Sequence, residues 1–195
     1  DIVCKYMEIR GFQATHSSTP PLLEFIPHRS GFGAQAVEFN RAVMDFAISQ
    51  EVELVILHCV WSTYDKDPSF KQSLTNTVAE LKNAGIRVAI VLDVANQEGD
   101  VPRVLAHLDQ DDVMKAGISL EKHREKNKNC NAVINCLSKD DVMIFDPASS
   151  FTDDQGRWQV VIDGKTMYRD QHHLSVEGAL HLKEFFMTVL SKMIH

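Results

Sequence analysis

Apolar positions along this chain switch repeatedly between continuous runs and a spacing near one helical turn. Glu53–Trp61 (ELVILHCVW) is a near-continuous apolar run, which predicts a strand covered on both faces. Ile86–Leu92 (IRVAIVL) predicts a second buried strand and Val142–Asp146 (VMIFD) another. Phe12–His16 reads as a short strand that ends in the turn-rich Ser17–Pro21. Between these runs the period is helical. Phe39, Val43, Phe46 and Ala47 mark a helix over Ala36–Ile48. Phe70, Leu74, Val78 and Leu81 share one face of the next helix, which Gly85 is placed to close. Asp100 fits the cap of a short helix with Pro102 in its first turn, and Ser119–Leu137 reads as a long helix. Further on, Asp163-Gly164 between Trp158–Ile162 and Lys165–Tyr168 is a two-residue hairpin signal. Ser175 fits a helix N-cap, followed by an apolar stripe of Val176, Ala179, Leu180, Phe186, Val189, Leu190 and Met193. Strands alternating with helices predict an α/β domain with a mostly parallel sheet.

Composition narrows this picture by exclusion. At 195 residues, with about 150 typical of a domain and no repeat or linker in view, residues 1–195 read as a single domain. With 44% hydrophobic and 24% charged residues the chain is neither disordered nor fibrous. Its longest apolar runs fall far short of the ~20 residues of a membrane helix. Asp1–Arg10 mixes charge with apolar residues, unlike a signal peptide. A net charge of −7 argues against a nucleic-acid partner. Cys4, Cys59, Cys130 and Cys136 form no C-x-x-C pair. Cys59 reads as a buried hydrophobe, and Cys130 and Cys136 fall on different helix faces, which argues against a disulfide. Met7, Met44, Met114, Met143, Met167, Met187 and Met193 are scattered like gap-fillers of a core. Glu121–Lys128 (EKHREKNK) mixes charges at helical spacing and reads as a solvated face.

Candidate chemistry concentrates in Tyr168–Ser175 (YRDQHHLS). An Asp three residues before a His in a turn can accept the imidazole Nδ1 proton and leave Nε2 as a base. Asp170 and His173 are therefore a candidate orienter and base. The competing reading is a polar loop in which Asp170 and Ser175 cap the following helix. No metal site is expected, because the adjacent His172 and His173 should diverge and no further ligand is evident. A second candidate region follows the Glu53–Trp61 run. Ligands bind at the C-terminal ends of parallel strands, so Trp61, Ser62 and Tyr64 are candidate pocket residues; alternatively Trp61 packs over the sheet edge. In Gly31-Phe32-Gly33-Ala34, just before a helix, a glycine N–H can serve an oxyanion, or the glycine is there only for its backbone conformation. The long loop Ser17–Gly33, with Pro20, Pro21 and Pro27, is a candidate site wall.

Tyr168–Ala179 (YRDQHHLSVEGA) resembles the C-terminal motif of SGNH hydrolase-like domains, of the kind fused to membrane acyltransferase-3 proteins. His16–Leu23 (HSSTPPLL), Val37–Val43 (VEFNRAV), Val55–Tyr64 (VILHCVWSTY), Asp146-Pro147 and the hairpin agree in order and spacing. The resemblance implies a flavodoxin-like three-layer α/β sandwich with five parallel strands in the order 2-1-3-4-5. It implies acyl transfer or ester hydrolysis through an acyl-serine, typically moving acetyl groups on cell-surface polysaccharide, with Asp170 as orienting acid and His173 as base. His172 joins Trp61, Ser62 and Tyr64 as a pocket residue, and Gly33 is the candidate oxyanion donor.

Two departures stand out. The family's Gly-Asp-Ser block, which carries the nucleophile at the end of strand 1, occurs nowhere in the sequence, and Val60 stands where related domains often carry Arg. With Phe12–His16 as strand 2, Asp1–Arg10 becomes the helix after the nucleophile, and strand 1 with its serine is expected immediately upstream of residue 1. The alternative is a non-catalytic carbohydrate-binding or interaction domain that keeps the fold. The expected partners are an acyl donor and a carbohydrate acceptor, with a membrane acyltransferase domain in the same polypeptide. No cofactor is expected, and the expected location is the periplasm or another extracytoplasmic space.

Overall fold

A computed structural model describes residues 2–28, 32–113 and 115–194; Gly31 and Met114, singled out above, lie outside them. In chain order the helices and strands are α1 (Ile2–Tyr6), α2 (Gln35–Ser49), β1 (Leu54–Leu57), α3 (Phe70–Asn83), β2 (Arg87–Val91), α4 (Val101–Leu105), α5 (Gln110–Val113), α6 (Leu120–Cys136), β3 (Met143–Phe145), α7 (Ala148–Phe151), β4 (Val161–Ile162), β5 (Lys165–Thr166), α8 (Val176–His181) and α9 (Lys183–Ile194). They fall into two compact units that interleave along the chain. Arg10–Asp93 and Asn127–Phe145 make up most of one, and Val94–Lys126 and Asp146–Lys192 most of the other.

The first unit holds a parallel sheet in the order β1-β2-β3, with Val55 beside Val88 and Ile90 beside Ile144. These strands take the places of strands 3, 4 and 5 in the expected order. Central β2 is buried from Val88 to Val91, as its unbroken apolar run requires. β1 differs from expectation. Only Leu57 is buried while Leu54, Val55 and Ile56 are half-buried, because among the described residues β1 pairs only with β2. α3 places Phe70, Leu74, Val78 and Leu81 in the core. It ends in a Schellman turn. Gly85 at φ +78° donates to Lys82 O (2.9 Å), and the Ile86 N–H reaches Leu81 O (3.0 Å).

One expectation fails here. Phe12–His16 forms no strand and is largely exposed. In the implied order its only neighbour is strand 1, and no segment of the described chain supplies that ladder. The loop from Ser17 is partly built into the core. Leu22, Leu23 and Phe25 are core residues, and Asn40 Nδ2 donates to Pro20 O and Leu22 O at 2.9 Å each.

In the second unit, Asp163 (φ 50°) and Gly164 (φ 73°) turn β4 into β5, the double positive φ that an Asp-Gly hairpin needs. Trp158 is fully buried and stacks on Phe151 with ring centroids 5.2 Å apart. Asp100 caps α4 by accepting from the Arg103 N–H (3.0 Å), and Ser175 Oγ caps α8 by accepting from the Gly178 N–H (3.0 Å). The apolar stripe beyond Ser175 holds only in part. Val189 and Leu190 are buried, but Val176, Ala179 and Leu180 are exposed. The helical phase breaks at Leu182, and α8 turns its Gly178 side inward instead.

The described part of Glu121–Lys128 is exposed as expected except at His123 and Asn127, one helical turn apart, which are buried. All four cysteines are free; Cys130 is buried and Cys136 exposed, whereas Cys59 is only half-buried. Among the described residues no helix is long and apolar enough to cross a membrane.

Candidate functional site

The loop that follows β5 is closed by its own backbone. Tyr168 bridges Leu174, the Arg169 N–H donates to His173 O (2.9 Å), and the Ser175 N–H to Met167 O (2.9 Å). Asp170 sits inside this closure. Its Oδ1 accepts the backbone N–H groups of His172 (2.9 Å) and His173 (2.8 Å), a local Asx arrangement that follows from the short side chain. Its Oδ2 lies 2.7 Å from His173 Nδ1. The loop therefore brings the candidate orienter and base together.

Partial burial tends to raise the Asp170 carboxyl, but the two backbone donors and the His173 ring outweigh it and hold it well below the usual carboxylate range. An ionised carboxylate only accepts, so the shared proton belongs to Nδ1 and the His173 lone pair lies on Nε2. The His173 side chain is 54% exposed, so that nitrogen has room to meet a reacting group.

His172 corrects an expectation. Its ring does not diverge from that of His173; the centroids are 4.1 Å apart at 40°. Its Nδ1 is 3.9 Å from Asp170 Oδ1, beyond hydrogen-bond distance. Asp170, His172 and His173 thus present ligand-type atoms within 4.8 Å of one another, contrary to the expectation that no further ligand is at hand. A tetrahedral metal with bonds near 2.1 Å would space its ligands about 3.4 Å apart. Bound through His173 Nδ1, it would displace that proton and widen the 2.7 Å pair.

Trp61, Ser62 and Tyr64 belong to the sheet-containing unit. Trp61 is fully buried and its indole N–H donates to Val91 O (2.9 Å), so it is a core residue. Ser62 directs its hydroxyl to Asp93 Oδ2 (2.8 Å). Half-buried Tyr64 meets Phe25 edge-on at 5.8 Å, and burial pushes its phenol up to about 12. Gly33 has φ +48°, and its carbonyl accepts the Ala36 N–H (3.2 Å). That conformation alone accounts for a glycine.

Sequence reasoning missed Asp93, which organises the Trp61–Thr63 turn. It is 3% exposed and accepts from Trp61 N (2.7 Å), Ser62 N (3.2 Å) and Ser62 Oγ. Burial raises its pKa despite these donors. The available signal was a carboxylate directly after the apolar run Ile86–Leu92, where a parallel strand ends.

The two carboxylates couple to stability with opposite signs. Asp170 in the folded chain lies below its ordinary 3.8, so its stabilisation is full above that pH and is lost as pH falls through the depressed value. Asp93 lies above 3.8, so its stabilisation is full below that pH and declines as pH rises through the raised value. In urea titrations from about pH 2 to 8, Asp170→Asn is expected to flatten the acid limb and Asp93→Asn the decline above about pH 4. A limb that persists unchanged in its own variant removes that carboxylate as the cause.

A family model described as "SGNH domain (fused to AT3 domains)" matches residues 1–188. Among solved structures, the periplasmic domain of a lipopolysaccharide acetyltransferase from Salmonella ser. Paratyphi A is similar in fold. The TM-score is 0.71 at 16% identity, with 100% of this chain covering 77% of that one. The curated proteins offer no match to this sequence.

Proposed function

Because the chain belongs to the family of SGNH domains fused to AT3 domains, a family of acyl-transfer and esterase type, we propose that it carries the base and orienter of a serine-dependent O-acyl transfer. The observation that carries this reading is the 2.7 Å contact between His173 Nδ1 and Asp170 Oδ2, at the family's Asp-x-x-His position. The serine nucleophile of this reading belongs to the family's Gly-Asp-Ser block, which does not occur in residues 1–195.

His173 Nε2 removes the hydroxyl proton as the serine oxygen attacks the acyl carbonyl. The resulting oxyanion is held by backbone N–H groups. As the intermediate collapses, the imidazolium returns its proton to the leaving oxygen and an acyl-serine remains. A sugar hydroxyl then attacks the acyl-serine with the same base, releasing the ester and the serine; water in its place gives hydrolysis. Asp170 keeps the Nδ1 proton in place and stabilises the imidazolium throughout.

The acceptor in this reading is a cell-surface polysaccharide in an extracytoplasmic space. The acyl group reaches the domain from a membrane acyltransferase domain of the same polypeptide. His172, beside the base, is a candidate pocket residue. The second reading, a non-catalytic carbohydrate-binding or interaction domain, is favoured by the missing Gly-Asp-Ser. Turnover of a chromogenic acetyl ester by the full-length polypeptide, with and without a soluble glycan acceptor, separates the two. Acetyl-ester turnover that depends on His173 supports the first, and glycan binding without turnover supports the second.

A further inference from the structure

After β2 the chain runs through Val94–Gly99 (VANQEG), a segment that the acyl-transfer reading does not use. Gln97 in this segment is buried, and its backbone forms a reciprocal pair with Gln171. The Gln97 N–H donates to Gln171 O (2.9 Å), and Gln171 Nε2 donates to Gln97 O (3.0 Å). Gln171 lies between Asp170 and His172, at the crown of the loop. The segment is itself tied to α6. Lys126 Nζ donates to Asn96 O (3.1 Å), and Lys122 pairs with Glu98.

The Gln97 side chain anchors this segment. Its Oε1 accepts the Ile118 N–H (3.1 Å). Tyr168 opens the loop through its bridge to Leu174. An apolar side chain of equal length in place of Gln97 offers Ile118 no acceptor.

We propose that Gln97 is a positioning residue for the Asp170–His173 pair: its side chain is anchored on Ile118 and its backbone holds the crown of their loop through Gln171. The proposal rests on the reading of His173 as a base. A half-exposed imidazole works only if its loop stays in productive geometry, and small displacements there are costly.

The test uses the full-length polypeptide and two variants. Gln97→Met keeps the length and removes both amide atoms. Gln171→Met removes the side-chain half of the crown contact at an exposed residue, and so keeps the question open to experiment if the buried variant fails to fold. Both are expected to lower kcat for an acetyl ester on the order of 10- to 100-fold, with KM within about twofold. The second readout needs no turnover. It is the rate at which diethyl pyrocarbonate modifies His173 relative to His172, resolved by peptide mass spectrometry. That ratio is expected to change by about threefold or more, because the ring is no longer held. A folded Gln171→Met protein with unchanged kcat and unchanged ratio overturns the proposal, as does a loss of Tm with neither change. If the parent protein shows no turnover, the acyl-transfer reading fails, and the modification ratio alone upholds or overturns the role of Gln97.

Discussion

His173→Ala is expected to lower kcat for a chromogenic acetyl ester on the order of 10^3-fold or more, with KM little changed. The loss falls on kcat because the imidazole is needed while the proton moves, and contributes little to holding the ester before that. The substitution should leave the loop standing. The His173 carbonyl still accepts from Arg169, its N–H still donates to Asp170, and the lost side chain is 54% exposed. Asp170→Asn should cost roughly 10^2- to 10^4-fold. An amide in place of Oδ2 presents a donor to Nδ1, which moves the imidazole proton to Nε2 and removes the lone pair that attacks the serine proton. Circular dichroism and Tm of both variants check that the fold survives. Turnover equal to the parent's in His173→Ala would remove this residue from the mechanism and favour the binding-domain reading.

A large effect on stability is expected at Gly178, within α8. A Cβ there would overlap the Met167 carbonyl oxygen and crowd its carbonyl carbon. The obstruction is backbone rather than a side chain that can swing away. The same carbonyl accepts the Ser175 N–H, and Ser175 Oγ both donates to Thr166 O (2.6 Å) and accepts from Gly178. Gly178→Ala must therefore push α8 away from the strand that leads into the dyad loop. Helix propensity alone would favour alanine by about 1 kcal/mol, so a stabilised variant would refute the packing argument. The expected result is a loss of about 2–4 kcal/mol, which lowers Tm by roughly 5–15 °C in a chain of this size. The loop it supports should loosen as well, so residual activity should fall further than the unfolded fraction explains.

How much of this was legible in the sequence depends on how far each feature reaches along the chain. The helix α3, its Schellman turn at Gly85, the caps at Asp100 and Ser175 and the Asp163-Gly164 hairpin are closed within a few residues. Their hydrogen bonds are encoded in neighbouring residue types, and each appears where the sequence places it. The Asp170–His173 pair is legible for the same reason, since three residues and one turn bring carboxylate and imidazole to 2.7 Å. The expected strand at Phe12–His16 fails because pairing is a property of a neighbour and not of the segment. The stripe from Val176 to Leu180 fails because a six-residue helix that breaks before Leu182 follows no single phase. For Trp61 the sequence left a pocket role and packing at the sheet edge open; it is fully buried, with its indole N–H on Val91 O.

The sequence by itself determined the α/β class, the three strands of the parallel sheet, the local turns and the approach of Asp170 to His173, all of which follow from side-chain period and short-range geometry. The tertiary structure decided the long-range partnerships of the buried polar groups. Gln97 meets Gln171 across 74 residues, and Asp93 collects three donors from a turn about 30 residues away. Neither partnership leaves a mark in local spacing. A buried polar side chain takes whatever donors the folded backbone brings to it, so the identity of its partners exists only after the chain has closed on itself.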